Sequence, residues 1–222
     1  MAPFLMFRNL RNIRFIWNYR YVNNGRVSYF SYLENLRLDE VEKALLENVL
    51  GSGNLNVSQL SKKLDEPKAN VHRRIERLEE ERVIESQQVG RQRIVSVNPA
   101  AVDKVRGVLG IVPSARVLVL VSQDYALKII DFFKPHEVYF LTTKPDLNLD
   151  FGNAKRILLP ESLKGSYERI YGFVREEKSY KNAYVAIAIT GNGIASIAAG
   201  MVARDTLTPI LTVENNEIKQ IV

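Results

Sequence analysis

The sequence predicts an α/β protein in two parts. A helical first half closes on a basic hairpin, and an open, mainly parallel sheet follows and ends in a second hairpin. Three observations carry this. Apolar residues recur at helical spacing through residues 38–82. A basic stretch with strand-like alternation, residues 84–97, comes next. From residue 115 onward, short continuous apolar runs alternate with helical segments, the pattern of a sheet buried on both faces.

Composition narrows the chemistry. The chain has 222 residues, no cysteine and two histidines, His72 and His136. Disulfide frameworks, Cys-ligated zinc and iron–sulfur sites are excluded. A His-rich metal site is excluded as well, so neither metal nor cofactor is expected. No apolar run reaches the length of a membrane helix. The opening MAPFLMFRNLRNIRFIW mixes arginine into its apolar residues, which argues against an export signal and for a cytoplasmic location. Net charge is +6, and residues 1–110 carry 18 basic and 13 acidic side chains. Basic character attracts polyanions but does not by itself specify nucleic acid.

Each element has its own signal. Residues 1–36 crowd tyrosine with arginine and read as an extension, either an arm for a partner or a partly ordered segment. Residues 38–50 place Val41, Leu45, Leu46 and Val49 on one helical face, with Gly51-Ser52-Gly53 as the stop. Residues 54–57 read as a connector, and Ser58 as the cap of the next helix. Asp65-Glu66-Pro67 is a turn, and a helix from Lys68 to Arg82 carries Val71, Ile75 and Leu78 inward. Two strands over 84–97 surround Gly90, and residues 100–114 form a helical linker. Strands are expected at 116–121, 137–141, 156–159, 184–189, 210–213 and 218–222. Helices are expected at 125–133, 163–177 and 194–203, and Asn215-Asn216 joins the last two strands.

Leu60–Ile84, LSKKLDEPKANVHRRIERLEEERVI, resembles the winged helix-turn-helix of prokaryotic regulators. Leu64, Val71 and Arg77-Leu78-Glu79-Glu80 stand at the pattern's positions, and the basic hairpin stands where the wing belongs. The resemblance covers residues 38–98. Asp65 and Arg82 occupy places where the family often has glycine. A helix of this kind fits the major groove and would present Lys68, Asn70, His72, Arg73, Arg74 and Arg77 to double-stranded DNA. Arg91, Gln92 and Arg93 at the hairpin would meet phosphate or the minor groove. Arg77 has the alternative of pairing with nearby glutamates, and His72 that of a solvated surface residue. A single such unit reads a small surface, so a homodimer is expected.

In open α/β sheets, ligands sit beyond the C-terminal strand ends. Ser122 and Gln123 follow the first strand of the second half, Thr142 and Lys144 the second, and Thr190-Gly191-Asn192-Gly193 a later one. With Ser196, these are candidate ligand residues, since glycine and a helix start favour an anion. The same Thr-Gly-x-Gly run also suits a plain tight strand-to-helix turn. Neither a P-loop nor GxGxxG is present. KPHEVYFLTTK (134–144) and VAIAITGNGIASIAAGMVA (185–203) resemble the CRISPR-associated Rossmann-fold, or CARF, domain over residues 115–222. That resemblance implies a Rossmann-like dimerisation domain that binds a cyclic oligoadenylate or other anionic ligand. The family's common Thr-Gly-Gly-Thr-Lys reads Thr190-Gly191-Asn192-Gly193-Ile194 here, without the lysine. The usual order of sensor and winged helix is also reversed.

The sequence therefore reads as an extension (1–36), a winged helix-turn-helix (37–99), a linker (100–114) and a CARF-like domain (115–222). The leading function is a dimeric DNA-binding transcription regulator under anionic-ligand control, with no catalytic residues. The alternatives are a cyclic-oligonucleotide-cleaving enzyme using Asp124, His136 or Lys144, and a non-catalytic assembly protein with a degenerate sensor.

Overall fold

The computed structural model describes residues 36–53, 55–144, 149, 154–191 and 193–221. The extension read at residues 1–36 lies almost wholly outside them. Leu38–Val222 form one compact unit.

Its first part is helical. α1 (Glu40–Ser52) opens with a capping box: the Asp39 carboxylate accepts from the Glu42 N–H, and the Glu42 side chain accepts from the Asp39 N–H. The Asp-Glu-Val-Glu run that encodes this is plain in the sequence. α1 stops at Gly53, whose φ of 74° is left-handed. α2 (Val57–Leu64) is capped by Asn56 and not by the expected Ser58. Asn56 forms its own capping box with Gln59, so the helix starts two residues earlier and Ser58 falls inside the first turn. The expected connector is in part a strand: β1 (Leu55–Asn56) pairs with the hairpin at Val95 and Ile94. α3 (Lys68–Glu80) ends two residues short of expectation, because Arg82 already turns left-handed at φ 54°.

β2 (Ile84–Val89) and β3 (Gln92–Val97) form the hairpin, with Val89 opposite Gln92 and Gly90-Arg91 between them. Gly90 takes φ 59°, which a two-residue turn needs at its first position. β3 lies between β1 and β2. Leu45, Leu46, Val49, Leu60, Val71, Ile75, Leu78 and Val95 are fully buried beneath these elements. Each such aliphatic side chain contributes about 1.5–3 kcal/mol by leaving water. Val41, expected on the inner face of α1, is only half-buried.

α4 (Val102–Leu109) leads to the second part and closes on Gly110 in a left-handed conformation. There β4 (Ala115–Leu120), β5 (Glu137–Thr142), β6 (Lys155–Leu158), β7 (Ala183–Ala188) and β8 (Ile210–Glu214) run parallel. β9 (Glu217–Ile221) pairs antiparallel with β8 through Asn215 and Asn216, both left-handed. Strand order is β6-β5-β4-β7-β8-β9. The continuous apolar run of β4 has the expected cause. Val117 and Val119 face α6 (Leu163–Arg175) and α7 (Ile194–Asp205), while Leu118 and Leu120 face α5 (Ala126–Phe133). The helix expected over 163–177 gives way after Arg175 to a π-helical turn, Glu176–Tyr180.

Candidate nucleic-acid interface and strand-end cleft

α3 starts after Pro67, which pre-sets a compatible φ and gives up an N–H that a first turn would not use. Its inner stripe is Val71, Ile75 and Leu78, so the intervening residues turn outward. Lys68, His72 and Arg73 are exposed on α3, and Arg91 and Gln92 are exposed at the hairpin. Asn70 is half-buried and donates to the Glu66 carboxylate at 3.2 Å.

The other arginines have partners inside the fold. Arg74 pairs with Asp39, and this guanidinium holds the Asp39 carboxyl below its ordinary range. Arg77 reaches the fully buried Glu42 at 2.6 Å and Glu81 at 3.1 Å. These two side chains therefore knit α3 to α1. Arg93 returns from the hairpin to Glu79 on α3, donates to Ser86 Oγ at 2.8 Å, and stands 3.4 Å from the His72 ring. On the other side, Asn56 donates to the Gln92 side chain at 3.1 Å. The hairpin is thus held from two directions beside the outward face of α3.

Asn56, Glu79 and Glu42 escape a search for cations, yet they fix where the cations stand. Of the 18 basic residues in 1–110, five arginines lie in 1–35 with one glutamate. Residues 36–110 thus carry 13 basic and 12 acidic side chains, so the cations around α3 stand among nearly as many carboxylates.

At the other end, strand order reverses between β4 and β7, the place where a parallel sheet opens a crevice. The loops after β5, β4 and β7 lie side by side there. Gly191 packs so closely on the β4 loop that a Cβ would stand 3.0 Å from Ser122 Cβ. The hydroxyls expected to meet an anion donate within the loops. Ser122 bonds the Asp124 carboxylate at 3.0 Å, and Thr190 bonds the Asp124 carbonyl at 2.9 Å. Ser196 bonds the Gly191 carbonyl at 2.8 Å, and Thr142 bonds the Lys144 carbonyl at 3.1 Å. Gln123 is half-buried, and Lys144 and Gly193 are exposed. Asn192 lies outside the described residues. His136 sits at the opposite strand ends, where its Nδ1 accepts from the Arg116 N–H at 3.0 Å. No group of metal-ligating residues occurs among the described residues. None of the described helices is long and apolar enough to cross a membrane.

Comparison with known proteins gives two partial matches. A family model described as HVO_A0114 matches residues 37–103. An uncharacterized HTH-type transcriptional regulator from Pyrococcus horikoshii is 48% identical over 48 residues. That match spans 22% of this chain and 32% of the relative. The likeness is therefore local to one region of each protein.

Proposed function

We propose that the chain is a DNA-binding transcription regulator in which residues 37–99 act as a winged helix-turn-helix. α3 enters the major groove and the β2–β3 hairpin is the wing. The observation that carries this reading is the Arg93 bridge: by pairing with Glu79 it keeps the wing beside the outward face of α3. His72 then stands beside the wing, with Lys68 and Arg73 exposed on α3 and Arg91 at the wing's tip. Arg73 suits bidentate recognition of guanine, and Lys68 and Arg91 suit phosphate. Arg74, Arg77 and Arg93 serve by positioning the reading elements. The HTH regulator likeness over 48 residues supports the same reading.

Residues 115–222 supply dimerisation and, in the CARF-like reading, a seat for a cyclic oligoadenylate or other anion. The engaged hydroxyls of the cleft leave the backbone N–H groups at the start of α7 as the donors for such a ligand. Those same hydroxyl bonds favour a second reading for this part, a dimerisation domain that has lost its ligand.

The test is selection of genomic DNA fragments on the purified protein, followed by sequencing. Enrichment of a two-fold repeated motif, lost in folded Arg73→Ala, is the expected result. Retention of no preferred sequence by a folded dimer overturns the regulator reading.

A further inference from the structure

The π-helical turn after α6 is where the sheet meets the helical part. Glu177, Lys178 and Ser179 are all buried there, and Lys178 is only 1% exposed. Its ammonium donates to Asp103 on α4 at 2.8 Å and to the Thr206 carbonyl at 3.0 Å. The Lys178 carbonyl accepts from Arg106 at 2.8 Å, and Arg106, itself 3% exposed, also donates to the Ala183 carbonyl of β7 at 3.2 Å. Just before the turn, Arg175 reaches Glu85 on β2 at 2.7 Å and Ser96 on β3 at 3.0 Å. A side chain at Gly53, where α1 ends, would touch the Tyr180 ring. One five-residue turn and the arginine before it therefore grip α1, α4 and both strands of the hairpin.

Burying an ammonium is costly, and an apolar side chain of similar length would fill the same space without that cost. What the ammonium adds is direction. It ties the residue that ends α7 to the helix that follows the hairpin, and α7 begins at the strand-end cleft. We propose that Lys178 is a positioning residue that joins the sheet to α4, the helix that follows the β2–β3 hairpin, and with the Arg175 contacts to Glu85 and Ser96 lets the sheet set how the hairpin is presented to DNA. This rests on the DNA-binding reading above.

The experiment uses the full chain, Lys178→Met, and two readouts: amide hydrogen exchange, and affinity for a DNA fragment retained by the wild type. The expected result is exchange across residues 84–97 that is about three- to thirtyfold faster, with the β4–β8 core protected as in wild type. Affinity falls within the same range, and its salt slope is unchanged because no phosphate contact is removed. A folded variant with wild-type hairpin exchange and affinity overturns the proposal, as does uniform acceleration over both sheets. Should Lys178→Met fail to fold, Asp103→Asn, which loosens the same tie and leaves a carbonyl oxygen for Arg106, faces the same criteria. Should the wild type retain no DNA, the regulator reading falls, and hairpin exchange alone decides the role of Lys178.

Discussion

Arg93 on β3 is ion-paired with Glu79 in the last turn of α3, while Arg91, two residues earlier, projects from the hairpin turn. Two arginines of one hairpin thus do different work. One joins the wing to the helix; the other offers its charge outward.

The two arginines should separate by salt dependence. Arg91→Ala is expected to weaken DNA binding for all sequences and to reduce the salt slope by about one phosphate contact. Arg93→Ala is expected to weaken binding through a loosened hairpin, seen as faster amide exchange over residues 84–97. Affinity titrations at several salt concentrations, with exchange on the same samples, distinguish them. Identical behaviour of the two variants would remove the distinction.

Asp65 and Arg82 hold φ values of 52° and 54° at places where the winged-helix pattern has glycine. The left-handed conformation costs an ordinary residue about 1–2 kcal/mol, and glycine returns about 0.5–1 kcal/mol of that as unfolded-state entropy. Arg82→Gly should therefore stabilise the protein by about 0.5–1 kcal/mol. Asp65→Gly should gain less, since aspartate tolerates the left-handed region better. Chemical denaturation measures both, and a loss of stability in Arg82→Gly would refute the argument.

Gly191 does not have a left-handed φ, so it owes its place to space. A Cβ there meets Ser122 Cβ at 3.0 Å and Oγ at 3.3 Å. Gly191→Ala should destabilise by about 1–3 kcal/mol, as overpacking does. Adding Ser122→Gly should recover much of that loss, and a double-mutant cycle measures the coupling. Additive losses would mean that the two loops do not restrain one another.

Burial holds the Lys178 ammonium below the ordinary lysine range, although Asp103 opposes the shift. Between that lowered value and 10.5, the unfolded chain binds more protons than the folded one. Stability from this group therefore rises with pH through that window, and its cost is fully present below it. Lys178→Met should compare best with wild type near neutral pH and lose ground as pH approaches 10.5. Urea unfolding across that range tests the sign; a difference independent of pH would contradict it.

Much of the fold was legible because its signals are local. Continuous apolar strands, the Asn215-Asn216 turn and the inner stripe of α3 all follow from residue type and spacing. Asp65 and Arg82 stood out only as departures from the pattern's glycines; their left-handed φ values came from the structure. Lys178 and Glu177 were not: nothing in a sequence marks a charged residue as buried when its partners lie tens of residues away. Arg74 and Arg77 show the same limit at the candidate site. Their period on α3 fits DNA contact as well as it fits α1, and their pairing with the distant Asp39 and Glu42 is visible only in the structure. Ser58 gave way to Asn56 because two good capping residues stood two positions apart, and Gln59 completes the box only with the earlier one.

A helix of regular pitch turns about 100° per residue, and so sweeps three neighbours through some 200°. It cannot hide Glu177, Lys178 and Ser179 in succession on one narrow face. A π-helical turn sweeps only slightly less per residue, so these three are buried because protein surrounds the turn, and its contacts leave little tolerance to changes in chain length. Removing a single residue between Arg175 and Tyr180 would swing every later side chain to a new bearing. Insertions and deletions belong in the surface loops of this protein, and this short stretch must keep its count.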